Sequence, residues 1–141
     1  MTPDALEPRA TSPQEIADLL ERFEVAMSDA RVLGQSADGR YMHAYTAGFL
    51  LAKVVIRASG VRAKGGENHL DTLRAVPFYM GSGVQPSVDA LDAARKRRNS
   101  TQYDAAGLVD DDDVQALLGR VEQFEVLMRG WLAEKHAELL G

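Results

Sequence analysis

"YMHAYTAGFLLAKVVIRA", residues 41–58, is apolar on nearly every side of a helix rather than along one stripe. That pattern belongs to a central helix contacted from several directions. The longest apolar run within it, residues 47–56, is broken by Lys53 and reaches about half of the ~20 residues a membrane span requires. The segment is therefore read as the core helix of a soluble bundle, running from about residue 38 to 59 and stopped by Gly60.

Working upstream, "SPQE" at 12–15 carries the marks of a helix start. Ser12 can cap it, Pro13 suits its first turn and Glu15 stands at the capping-box position. Ile16, Leu19, Leu20, Phe23, Met27 and Ala30 then recur at spacings of three and four, which predicts an amphipathic helix over 13–33. Residues 1–12, polar and proline-containing, are expected to be a disordered leader, and nothing in them resembles the apolar core of a signal peptide.

Downstream, "GVRAKGGEN" (60–68) reads as a loop, and His69, Leu70, Leu73 and Val76 share one face of a short helix that Pro77 ends or kinks. "GSGVQP" (81–86) reads as a flexible link. Ser87 caps a fourth helix running to Gly107. "DDDD" at 110–113 opens a last helix reaching Leu140, its acids at the positive end of the helix dipole. The buried stripe of that helix is Val114, Leu117, Leu118, Val121, Phe124, Met128, Trp131 and Leu132. No segment shows the alternation of a strand. The fold expected is all-α: four long helices and one short one in a single domain over 13–140.

Composition narrows the chemistry. With 141 residues the chain can bury about two-thirds of its unfolded surface without a staple. The absence of cysteine removes disulfides, thiolate metal sites and cysteine nucleophiles. A net charge of −5 argues against coating nucleic acid with the whole surface, and the three histidines lack the spacing of paired metal ligands. No metal or cofactor is expected, and the location expected is cytoplasmic.

One segment stands against the acidic background. "RKRRNSTQYD" (95–104) holds four of the chain's sixteen positive charges. On a helix Arg95, Asn99 and Tyr103 form a row with Arg98 beside it, so a guanidinium, an amide and a phenol converge. Such a set can hold a phosphate or a base. The plainer reading of Arg95, Lys96 and Arg97 is a wet surface balanced by Asp89, Asp92 and the acidic run after Gly107. Arg98 and Asn99 lie toward the side of Leu91 and Ala94, where burial is expected.

The Arg98-Asn99 pair, followed after three intervening residues by Tyr103, resembles the motif helix of the HEPN family (higher eukaryote and prokaryote nucleotide-binding domains). The stretch 44–76 is similar to the second helix, glycine stop and third helix common there. The resemblance implies an up-and-down helical bundle that dimerises side by side, with the motif helices of two copies lining one cleft. It also implies either a metal-independent ribonuclease, often of a toxin–antitoxin or defence system, or a binding module that partners a nucleotidyltransferase or an antitoxin.

Tyr103 stands where active members carry histidine. A phenol titrates near about 10 and an imidazole near about 6.5, so tyrosine is a poor base at neutral pH. The reading that follows is a homodimer that binds RNA, a nucleotide or a partner protein through Arg95, Arg98, Asn99 and Tyr103 without efficient catalysis. Its alternatives are an active ribonuclease, with Arg98, Asn99 and Tyr103 as the catalytic set, and a structural dimerisation module. His69 is expected to be packed or capping, and Trp131 to be a core or dimer contact.

Overall fold

The computed structural model describes residues 3–66, 68–101 and 109–141, and of residues 98–101 the backbone alone. The described chain is built on helices: α1 (Pro13–Ala30), α2 (Ala37–Ala58), α3 (His69–Met80), α4 (Gln85–Thr101) and α5 (Asp111–Lys135). Four are long and α3 is short, as the apolar periodicity requires. No helix among the described residues is long and apolar enough to cross a membrane.

The centre is α2. Ala44, Ala47, Leu51, Ala52, Val54 and Val55 are all fully buried, and Tyr45, Phe49, Leu50 and Ile56 widen the buried surface until only the side of Met42, Thr46 and Lys53 is left out of it. It packs most extensively on α1 and α5, and also on α3 and α4. Small residues let these neighbours approach. A Cβ built on Gly48 would lie 2.3 Å from Leu91 Cδ2, so α4 can come in only because residue 48 has no side chain. Phe23, Met27, Tyr45, Phe124 and Met128 complete the core around it.

Two corrections to the sequence reading lie near the N-terminus. Within the segment expected to be a disordered leader, Leu6–Pro8 forms a strand, β1, paired antiparallel with β2 (Val61–Ala63), with Leu6 opposite Ala63. Leu6 is buried with Ile56, Val61, Ala63 and Ala75 in a small second core. A three-residue strand is too short for alternation to reveal, and one leucine supplies its burial. The start of α1 is held as expected on one side only: Ser12 Oγ accepts from the Glu15 N–H at 3.1 Å. The Glu15 carboxylate turns to Arg57, because a charge-assisted pair outcompetes a return bond to the cap.

Arg57, 5% exposed, is the junction of these parts. Its Nε donates to both Glu15 oxygens at 3.2 Å, Nη1 donates to the carbonyls of Arg9 (3.0 Å) and Val61 (2.9 Å), and Nη2 donates to Ala10 O (2.6 Å) and Glu15 Oε1 (2.9 Å). A buried guanidinium is tolerated when its donors are engaged in this way. Arg40, also buried, plays a similar part at the other end of α1, donating from Nε to Ala30 O at 2.8 Å and so satisfying a terminal carbonyl.

The remaining differences concern helix ends. Pro77 neither ends nor excludes helix: α3 continues one turn to Met80, closed by Gly81 N–H donating to Pro77 O at 2.8 Å, with Gly81 at φ +91°. α4 starts at Gln85 after a 3₁₀ turn over Ser82–Val84, so the expected link is ordered and Ser87 is buried inside the helix. α5 stops at Lys135 and the chain continues as a second 3₁₀ turn, Ala137–Leu140.

Two outcomes follow. Arg57→Leu should lower unfolding free energy by about 3 kcal/mol, the scale of a buried ion pair that loses one partner, read from urea midpoints. The Arg57 hydrogen bond holds the Glu15 carboxyl below its ordinary value of 4.5. Its contribution is therefore full above that value and is lost as pH falls through the lower, folded one, a dependence that Arg57→Leu should flatten. Gly48→Ala should cost about 1–3 kcal/mol by overpacking, and the double variant with Leu91→Ala should be more stable than the two single losses added together.

Candidate functional site

The basic end of α4 is where the sequence places the site. Its helical backbone extends through Arg98 and Asn99 to Thr101, while the Arg98 and Asn99 side chains and the whole of Tyr103 lie outside the described residues. The three cations before them are tied down. Arg95 pairs with Asp92 at 3.1 Å, Lys96 with the other oxygen of Asp92 at 3.4 Å, and Arg97 with Asp113 at 3.0 Å. The plain reading of Arg95, Lys96 and Arg97 as cations balanced by nearby acids thus matches the geometry, and Arg95 already turns its Nε and Nη2 to Asp92.

Asp113 connects this segment to α5. Asp110 caps α5 by accepting from the Asp113 N–H at 2.8 Å, and Asp113 returns the bond by accepting from the Asp110 N–H at 3.1 Å. The same Asp113 Oδ2 accepts from Arg97. The backbone bond from Asp110, followed by the Arg97 contact, holds the Asp113 carboxyl below the usual carboxylate range in spite of some desolvation. Arg97 also sits 5.7 Å from the centre of the Tyr41 ring, a cation–π distance. Burial, the largest influence, raises the Tyr41 phenol above its ordinary range although Arg97 acts against it. On α4's own flank, burial pushes the Asp92 carboxyl up, and hydrogen bonds from Arg95 and Lys96 outweigh it and leave it lowered.

The structure brings together a second set of polar side chains that sequence spacing does not connect. His43 and His69, 26 positions apart by their numbers, line one groove of about 790 Å³ beside α1, with Asp18, Glu21, Arg22 and Asp29 on its other side. His69 is packed, as expected, and is also held in orientation. Its Nδ1 lies 2.7 Å from the Tyr45 hydroxyl, and its ring stacks on Phe49 with centroids 3.8 Å apart and planes 8° from parallel. A histidine fixed by one ring nitrogen and one ring face is suited to positioning or proton transfer. The apolar face that the sequence gives to His69 is that of α3, and only the fold reveals that Tyr45 and Phe49 of α2 receive it.

The other singled-out residues have structural surroundings. Trp131, on the α5 stripe, donates from Nε1 to Tyr79 O at 3.2 Å and meets His136 edge-on at 4.9 Å. Tyr79 packs against both cores while Phe78 is exposed. Among the described residues no group of three or more His, Asp or Glu side chains could hold a metal ion.

Comparison of this chain with protein-family models, with curated proteins and with solved structures finds no match.

The Tyr45–His69 contact has a direct consequence. Tyr45→Phe should cost about 1 kcal/mol and change the tautomer balance of His69, read from the ¹⁵N shifts of its ring. Unchanged ring shifts would show that the bond is not made in solution.

Proposed function

We propose that the chain is a HEPN-like helical protein that acts as a homodimer and binds RNA, a nucleotide or a nucleotidyltransferase partner through the basic end of α4, without efficient catalysis. The observation that carries this reading is the placement of the Arg98-Asn99 pair on the last described turns of a helix in an all-α bundle, next to an acidic helix start that already engages its neighbour Arg97. Arg95, Lys96 and Arg97 have their carboxylates, so the reading assigns the anion-binding role chiefly to Arg98, with Asn99 and Tyr103 contributing hydrogen bonds or stacking.

The chemistry at position 103 separates binding from turnover. Arginine can stabilise the charge that develops on a phosphate under attack, but cleavage without a metal also needs a group that exchanges protons near neutral pH. A phenol does this poorly. Toxin–antitoxin or defence roles fit a nuclease-like module of this kind, and a partner nucleotidyltransferase or antitoxin would contact the same helix end.

The test uses purified wild type, Arg98→Ala and Tyr103→His with a mixed RNA pool in EDTA. The proposal expects short-RNA or nucleotide binding by the wild type, at least tenfold weaker in Arg98→Ala, with no arginine-dependent cleavage by the wild type. Cleavage gained in Tyr103→His would support a cleft that lacks only its catalyst. Cleavage by the wild type that Arg98→Ala abolishes would replace this reading with that of an active ribonuclease. Equal or absent binding in wild type and Arg98→Ala would leave a structural module.

A further inference from the structure

A separate cationic cleft lies at the opposite end of α2 from the Tyr41–Arg97 contact, where β1, β2 and the start of α1 meet. It consists of two adjoining cavities that share Arg9, Glu15, Lys53 and Arg57 on their walls. The inner one, about 220 Å³, is mainly apolar, walled by Phe49, Ile56 and Ala63 with the buried Thr72 and with Arg62 at its edge. The outer one, about 580 Å³, opens along the backbone of residues 9–12 and is closed on the α1 side by Asp18 and Arg22.

The charge here opposes that of the whole molecule. In a chain of net charge −5, five cations (Arg9, Arg22, Lys53, Arg57 and Arg62) and two carboxylates (Glu15 and Asp18) line the two cavities among the described residues. These cations are not equally available. Arg57 spends its donors on Glu15 and three backbone carbonyls, and the Glu15 carboxylate at 2.9 Å offsets its charge. Arg62 is joined to Glu7 at 2.8 Å, and Lys53 has an interaction of its own. Arg9 and Arg22, both exposed, have no ion pair among the described residues.

We propose that this cleft binds a small organic phosphate, with the phosphoryl group held by Arg9 and Arg22 in the outer cavity and a compact apolar or ring-bearing body in the inner one. Two guanidinium forks offer paired N–H groups to a phosphate dianion. With Arg57 offset by Glu15, the neighbouring Lys53 adds further positive charge on the walls of both cavities. The inner cavity supplies what an apolar body needs: the Phe49 ring, aliphatic walls and a hydroxyl from Thr72 for orientation. None of these residues belongs to α4, so this site stands independently of the function proposed for that helix.

Titration calorimetry of the full chain with adenosine monophosphate, adenosine and inorganic phosphate tests the assignment. The expected result is that the monophosphate binds, inorganic phosphate binds more weakly, and adenosine does not bind measurably. Arg9→Ala/Arg22→Ala should weaken the monophosphate at least tenfold. Thr72→Val should weaken the monophosphate severalfold and leave inorganic phosphate unchanged. Arg120→Ala, on the exposed face of α5, and Arg98→Ala should leave all three unchanged. Both arginines are exposed, so circular dichroism should show the fold of the double variant intact. Wild type that binds none of the probes at millimolar concentration, equal affinity in Arg9→Ala/Arg22→Ala, or adenosine binding as tightly as its monophosphate would each overturn the proposal. Loss of monophosphate binding in Arg98→Ala with retention in Arg9→Ala/Arg22→Ala would place the phosphate on α4 instead.

Discussion

The buried guanidinium of Arg57 is the point through which four separate pieces of chain are held: the backbone leaving β1, the first turn of α1, the end of α2 and the start of β2. Burying a positive charge is costly unless its donors are satisfied and a counter-charge is near, and here three carbonyls and one carboxylate do both. The consequence is geometric. Glu15 can reach Arg57 only if the first turn of α1 lies against the last turns of α2, which fixes one end of the most extensive helix contact in the protein. Arg40 fixes the other end by capping Ala30 O. With both ends set, Ile16, Leu19, Phe23, Met27 and Ala30 all fall on the buried face.

Charge organises the surface in the same manner. The chain is acidic, and three cations of its basic run are met from two directions, Arg95 and Lys96 sharing Asp92 one turn back on α4 and Arg97 pairing with Asp113 at the start of α5. Asp113 thereby serves two structures, a helix cap and an interhelical bridge, and the backbone bond that lowers its pKa keeps it ionised for the second role. A cation-rich helix end held this way is anchored at Arg95 by its own helix and at Arg97 by the start of α5.

What could be read from the sequence followed the reach of each signal. The stripe of α1, the burial of α2 on nearly every side and the cap at Ser12 are local patterns, and the structure carries them all. Signals of only a few residues failed. β1 contributes a single buried leucine, and Pro77, expected to end or kink α3, lies inside a helix that runs on to Met80. Contacts between distant residues were unreadable in principle from one chain. Nothing in the spacing joins Arg57 to Ala10, or His69 to Tyr45 and Phe49, because these meetings depend on how α1, α2 and α3 cross. The proposed motif had the opposite character: Arg98, Asn99 and Tyr103 are legible as a pattern, while their side chains lie outside the described residues.

The claim that matters most is that the basic end of α4 meets a nucleic-acid phosphate through Arg98. The salt dependence of short-RNA affinity measures this directly, since each phosphate neutralised on a single strand contributes about 0.7 to the slope of log affinity against log salt. The account predicts that Arg98→Ala both weakens binding and reduces the slope by about that amount. An unchanged affinity and slope in Arg98→Ala would contradict it, and would assign the Arg98-Asn99 pair to holding the bundle together.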